Sequence, residues 1–326
     1  VRRIQLAINP NPISKARRRT GAGSNIVGTK DHVTAYLYLL PWIVGFLGLS
    51  LIPMGASLLL SFTDYNLFNF PSFVGLENFR YMFTIDWHYP AAVSVTIRYV
   101  LIAVPLQLLV SLLLAFTLNR GIPGLFVFRT LFYIPSLLGT SVAVGILWRQ
   151  IFGTEGLLNL TLLKLGFEWA RDLSWIGDPK YALSTIIILR VWQFGSPMII
   201  FLAGLKQIPQ ELLESADIAG ASQLQKTWLV TLPILSPIIL FNFVMQIISA
   251  FKIFTEAFIV SGGAVGGGII GGTLDSLLFY TLHIYSEGFV KFRMGYASAL
   301  SWVMLAMTAA FTFVAFRISS KWVHYN

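Results

Sequence analysis

The chain of 326 residues is 56% hydrophobic but only 11% charged, against roughly 25% charged residues in soluble domains. With a mean hydropathy of +0.73, this excludes an ordinary water-soluble core and places most of the chain in a bilayer. The charges nevertheless sum to +9, and cysteine is absent, which excludes disulfide staples, thiolate metal sites and cysteine nucleophiles.

In chain order, residues 1–32 contain no apolar signal-peptide core. Pro10, Pro12, Gly21, Gly23 and clustered arginines there predict a mobile basic cytoplasmic tail. Residues 33–320 follow as a membrane domain. A helix needs about 20 mainly apolar residues to cross the hydrocarbon, and six segments qualify: Thr34 to Phe62, Ile97 to Leu118, Thr130 to Trp148, Tyr181 to Leu205, Leu232 to Val260, and Tyr296 to Phe316. The first and fifth are over-long and carry prolines (Pro41, Pro53; Pro233, Pro237), so kinked or interfacial stretches are expected in both. Residues 321–326 form the C-terminus. The fold class is an all-α membrane protein with six transmembrane helices.

More than half of the 23 basic residues fall in the tail (Arg2, Arg3, Lys15, Arg17, Arg18, Arg19, Lys30), at Arg120, Arg129, Lys206 and Lys226, and at Arg317 and Lys321. By the positive-inside rule this side, with both termini, is cytoplasmic. The opposite loops carry acids, among them Asp64, Glu77, Asp86, Asp275 and Glu287. The tail's cluster lacks interleaved aromatics on an ordered face, which argues against nucleic acid.

Between spans four and five, a short helix is predicted near 209–221. Pro209 suits its start, Glu211 and Glu214 meet the positive end of its dipole, and Gly220 suits its stop. Its acids would oppose an anionic leaflet but suit a protein partner. In span five, Asn242, Gln246, Ser249, Lys252 and Glu256 recur at steps of four, three, three and four, a polar stripe on one helix face. Such a stripe is costly against lipid. It is either structural, with Lys252 and Glu256 as a self-satisfying i,i+4 pair and the amides as interhelical glue, or it lines a path for a hydroxyl-rich solute. Phe251, Phe254 and Trp192 would supply aromatic faces for that solute. Span four adds Arg190, Gln193 and Ser196 ahead of Pro197.

These residues resemble the membrane subunits of ATP-binding-cassette sugar importers of the maltose and glycerol-phosphate type. The loop signature reads Glu214-Ser215-Ala216, then Gly220-Ala221, then Leu232-Pro233. Gly75-Leu76-Glu77-Asn78-Phe79, Arg129-Thr130-Leu131-Phe132, Ile134-Pro135, Gly156-Leu157-Leu158-Asn159, Phe251 with Phe254, and Ser261-Gly262-Gly263 follow the family's order over residues 34–320. The chain also looks similar to the larger permeases of alginate importers. The resemblance implies a type I importer permease in a bacterial inner membrane, without enzymatic activity. It also implies a second homologous permease, two ATPase copies that hold ATP and Mg, and an extracytoplasmic solute-binding protein. The loop helix becomes a coupling helix, with Glu214, Ser215, Ala216, Asp217, Gly220 and Ala221 as docking residues. Ser215 replaces the usual Ala, and Ala219 stands where the family often has Asp, so Glu214 and Gly220 carry that role more than Asp217 does. Gly195 and the stretch from Gln246 to Ile253 become the substrate wall.

The chain has no Walker loop, consistent with nucleotide and cofactors on a partner. Arg98, Arg149, Arg190 and Lys252 lie in or at the ends of spans, with Glu256 as the acid among them. Arg98 and Arg149 are expected to snorkel outward, leaving Arg190 and Lys252 to compensate an anionic carbohydrate such as a uronate oligosaccharide. A neutral sugar or glycerol phosphate is the alternative substrate. A self-driven carrier with Lys252 and Glu256 as a proton relay is the alternative mechanism. Gly266 to Gly271 formally fits a dinucleotide fingerprint but follows no strand. His32, His88, His283 and His324 are dispersed and predict no metal site.

Overall fold

The computed structural model describes residues 29–120, 124–139, 141–263, 270–320 and 322–323, with side chains from residue 34 onward except 35. The basic tail, the glycine-rich run 264–269, Lys321 and His324 lie outside these residues, as do the side chains of Lys30 and His32. The chain divides into two compact units, 1–56 and 57–326. Helix is the rule throughout, and among the described residues extended pairing is limited to an isolated bridge between Thr63 and Phe73.

The first unit holds α1 (Thr29–Phe46), a π turn (Leu47–Leu51) and the start of α2 (Ile52–Leu60). Pro53 cannot donate to the carbonyl four residues before it, and the helix widens into the π turn just ahead of it. The same device recurs in span five, where a π turn at Thr227–Thr231 precedes Pro233. None of the apolar stretch Tyr36–Leu60 is buried within the chain, so this helix presents a surface suited to lipid or to another subunit's helices.

In the second unit, α3 (Glu77–Thr84) leads into α4 (His88–Leu118), which packs against α8 (Ala182–Trp192), α9 (Gly195–Leu205) and α12 (Leu232–Phe251). The buried side chains of α4, including Tyr99, Ala103 and Val104, form the middle of the core. Small residues set the close approaches. A Cβ at Gly204 of α9 would strike Leu235 and Ile238 of α12, and one at Gly145 of α6 (Val142–Phe152) would strike Ile259 of α13 (Thr255–Val260).

Among the described residues, four helical runs are long and apolar enough to span a membrane: Tyr36–Leu60, His88–Leu118, Gln223–Phe251 and Met294–Ser319. The other two spans are broken, so six are reached by joining pairs. The expected continuous helix from Thr130 to Trp148 instead stops as α5 (Leu125–Leu138) at Gly139, whose φ of 49° an L side chain rarely adopts, and restarts after the Ser141 cap. Span four bends by 41° between α8 and α9, just before Pro197, where a missing N–H costs no helical bond. The expected fifth span to Val260 ends at Phe251 and resumes as α13 after the turn through Lys252. Further short helices are α7 (Leu157–Lys164), α10 (Gln210–Ile218), α11 (Gln223–Lys226) and α14 (Tyr280–Tyr285), and α15 (Met294–Ser319) closes the bundle.

Candidate functional site

The break in span four leaves the Gln193 carbonyl without a helical N–H, since the residue four on is Pro197, and inside the bundle, where water is scarce, side chains satisfy it. Gln107 Nε2 of α4 and Ser136 Oγ of α5 donate to the Gln193 carbonyl at 2.9 and 3.0 Å. Ser111 Oγ lies between the Gln107 carbonyl of its own helix at 2.7 Å and the Phe194 carbonyl at 2.9 Å, and Gln193 Nε2 reaches the Gly139 carbonyl at 3.2 Å. Gly195 is buried here by packing. A Cβ would meet the Phe132 carbonyl oxygen at 2.6 Å and Tyr133 Cα at 2.8 Å, so the glycine lets α9 touch α5.

Arg190 lies one turn before the break and is 8% exposed. Its Nε donates to Gln107 Oε1 at 2.9 Å and its Nη2 to Gln246 Oε1 at 2.5 Å. Two neutral amides thus hold a buried cation, and no carboxylate stands within ion-pair distance of it among the described residues. Arg190, Gln193, Ile253 and Glu256 converge with Tyr99 on a cleft of about 150 Å³, too narrow for a sugar ring. Glu256 is 4% exposed, and its Oε2 has no hydrogen-bond partner.

The stripe in span five is divided. Asn242 is buried, with its Oδ1 unpartnered, Gln246 turns to Arg190, and Ser249 is exposed. The i,i+4 pairing of Lys252 with Glu256 does not form, because α12 ends at Phe251 and the turn redirects the chain between them. Lys252 faces away from Arg190. It lines an open groove beside α15 with Ile248, Ser301, Thr308, Thr312 and Phe313. Phe251 is fully buried against Phe311, whereas Phe254 stacks on Phe258 at 5.5 Å. Arg98 is exposed, and Arg149 donates to the Ile259 carbonyl at 3.3 Å. Sequence reasoning missed Gln107, Ser111 and Ser136. An amide and a hydroxyl four residues apart within the apolar second span were the available signal.

The predicted loop helix is α10. It begins after Pro209 and buries none of its residues, and Glu214 and Ser215 are exposed. Gly220 has φ 76°. Its N–H reaches the Asp217 carbonyl at 2.9 Å, and that of Ala221 reaches the Ala216 carbonyl at 3.0 Å, the paired closure of a Schellman stop. Asp217 does not project freely, since its carboxylate accepts from Lys226 Nζ at 2.6 Å.

At the end of α4 nearest its N-terminus, a second cluster forms that the dispersed histidines did not foretell. Asp86 Oδ2 accepts from Tyr296 at 2.5 Å and pairs with His283 Nε2 at 2.8 Å, all three buried. His88 pairs with Asp275 at 2.8 Å. Burial alone would raise the Asp86 carboxyl, but hydrogen bonds from His283 and Tyr296, the His283 charge and the His88 N–H together hold it well below the usual carboxylate range. Asp86, His283 and Glu287 offer ligand atoms within 4.8 Å of one another. Lys291 at 2.6 Å and Arg293 at 3.2 Å already neutralise Glu287, so the acids are committed to protein partners.

Comparison with known proteins gives a consistent picture. A profile of the family described as binding-protein-dependent transport system inner membrane component matches residues 90–321. The chain is 50% identical over 297 residues to the probable ABC transporter permease protein YesP of Bacillus subtilis (strain 168), covering 91% of this chain and 94% of that one. It is 29% identical over 324 residues to the arabinooligosaccharides transport system permease protein AraP of the same organism, covering 95% and 96%. Among solved structures, a bacterial ABC transporter involved in import of the acidic polysaccharide alginate aligns with a TM-score of 0.73 at 21% identity, over 90% of this chain and 96% of that one.

Proposed function

The chain belongs to the family of binding-protein-dependent transport system inner membrane components, and from that premise we propose how it is driven and what it carries. It is a membrane-spanning permease subunit of an ABC sugar importer, not an enzyme. A self-driven carrier with a Lys252–Glu256 relay is set aside, because the two residues face different parts of the chain.

In the proposed complex, this permease pairs with a second, homologous one. Two ATPase copies hold ATP and Mg, and an extracytoplasmic binding protein delivers the solute. The termini and α10 lie on the cytoplasmic side, by the distribution of basic residues. The observation that carries the mechanism is α10, a short acidic helix that buries nothing in its own chain and ends on a glycine-dependent stop. It is a preformed docking element for the ATPase, with Glu214 available for a charge-assisted contact. Ser215, Ala216 and Ala221 line the same element, and Gly220 shapes its end. ATP-driven closure of the ATPases moves α10, and the bundle alternates between inward-open and outward-open states. Glu214→Ala should lower substrate-stimulated ATP hydrolysis of the reconstituted complex roughly tenfold; unaltered stimulation argues against the docking role.

The solute we propose is an anionic oligosaccharide of the uronate class. Support comes from Arg190, whose buried guanidinium is held by amides rather than by a carboxylate, leaving its charge available to a ligand. Gln193, Gln246, Glu256 and Asn242 add hydrogen-bonding groups nearby, while Gly195 and Ile253 shape the packing. Lys252 and Ser249 contribute from the exposed side of span five, where a partner permease would complete the path. Arg190→Gln should reduce uptake of a uronate oligosaccharide at least tenfold more than uptake of a neutral one of equal length. An equal loss for both sinks the anionic assignment and leaves a neutral sugar.

A further inference from the structure

Lys226 is the buried lysine among the described residues, with its side chain 11% exposed. A buried ammonium needs a partner to remain charged, and Asp217, at the end of α10, supplies it at 2.6 Å with a carboxylate that is 58% exposed. The segment between them is stiff. The Schellman closure at Gly220 ends α10, and one residue beyond Ala221 a capping box begins α11, with Ser222 Oγ accepting from the Gln225 N–H and Gln225 Oε1 from the Ser222 N–H. From there a helical run extends over Gln223–Phe251, through the π turn at Thr227–Thr231. The other end of α10 is joined differently. Ile208 packs on the core, but no side-chain hydrogen bond or ion pair links α9 to α10 among the described residues. Pro209 (φ −58°, ψ 130°) makes an extended joint without a side-chain cap.

We propose that the Asp217–Lys226 ion pair is the link that makes displacement of α10 a displacement of span five rather than of span four. This rests on the reading of α10 as the ATPase-docking helix and assigns Asp217 to holding that helix instead of touching the ATPase. Span five carries Gln246, whose amide oxygen holds Arg190 at 2.5 Å, so the same helical run connects the loop helix to the cation at the break in span four. The pair is a positioning device, and its signature is tight coupling between hydrolysis and transport.

The test uses the full complex in proteoliposomes and measures solute imported per ATP hydrolysed. Asp217→Asn and Lys226→Met should each lower that ratio at least fivefold, with the ATPase still copurifying with Lys226→Met. The charge-exchanged double variant, Asp217→Lys with Lys226→Asp, should return it to within twofold of the parent. A ratio unchanged in the single variants overturns the proposal, as does an exchanged pair no better coupled than the singles. If Lys226→Met does not assemble, Asp217→Asn, which alters a half-exposed carboxylate, carries the test. Failure of the underlying reading looks different: Glu214→Ala would leave both copurification and stimulated hydrolysis untouched.

Discussion

Gly195 begins α9 with its backbone pressed on the backbone of α5, and a methyl group there has nowhere to go, since its nearest neighbours would be main-chain atoms at 2.6 and 2.8 Å. Gly195→Ala should therefore overpack the joint by roughly 1–3 kcal/mol, read as a lower thermal midpoint of the purified complex. Gly220 is the opposite case. Nothing lies within 4 Å of the position its Cβ would take, so Gly220→Ala meets only the left-handed backbone, about 1–2 kcal/mol. That substitution should loosen α10 and weaken stimulated hydrolysis while leaving the thermal midpoint of the membrane bundle nearly in place. Both glycines were legible in the sequence, but for different reasons. Gly220 follows from the helix-stop rule, whereas Gly195, expected in the substrate wall from the resemblance, sits where α9 packs on α5. Arg190 was legible as a rare intramembrane charge. Its pairing with Gln107 and Gln246 was not, although Gln246 stood out in the span-five stripe, because the two lie 83 and 56 residues away from it in the chain and periodicity carries no information over such distances.

At the level of elements, the apolar runs announced three of the six spans, the first, fourth and last, to within a few residues at both ends, and prolines marked two of the three helices that widen into π turns among the described residues. The breaks were harder to read. Gly139 and the turn at Lys252 interrupt stretches whose hydropathy is continuous, since hydropathy reports the surroundings of a segment and not its backbone angles. The start of span two, at His88 rather than Ile97, was hidden for a related reason: its first turns are polar enough to look like a loop, yet they are held by the Asp86 cluster. That cluster ties the α3–α4 elbow to α14 and α15. Asp86→Ala would strip His283 and Tyr296 of their acceptor, costing roughly 1–3 kcal/mol for each buried donor left unmet. Because the folded carboxyl titrates below its unfolded value of about 3.9, its stabilisation is fully present above that pH and is lost only as pH falls below it. Melting the purified parent and Asp86→Ala complexes should give a gap that is present at neutral pH and narrows in strong acid.

For the whole molecule, the charge excess divides by place. Most of it belongs to the tail and to the loops that the proposed topology places on one side, and a small remainder is buried with Arg190. The absence of cysteine makes the proposed orientation directly measurable: a single cysteine at Ser215 should react with a membrane-impermeant maleimide only in lysed cells, and one at Phe70, 98% exposed, in intact spheroplasts. The reverse pattern inverts the topology. The break in span four, closed by Gln107, Ser111 and Ser136, places amide and hydroxyl groups together at a depth where the surroundings are hydrocarbon. In effect the protein carries a few molecules' worth of solvent built from side chains, already oriented. On the proposed transport path, a hydroxylated solute arriving there would exchange one set of partners for another instead of being stripped bare, and the barrier to crossing would become one of moving helices apart rather than of dehydration.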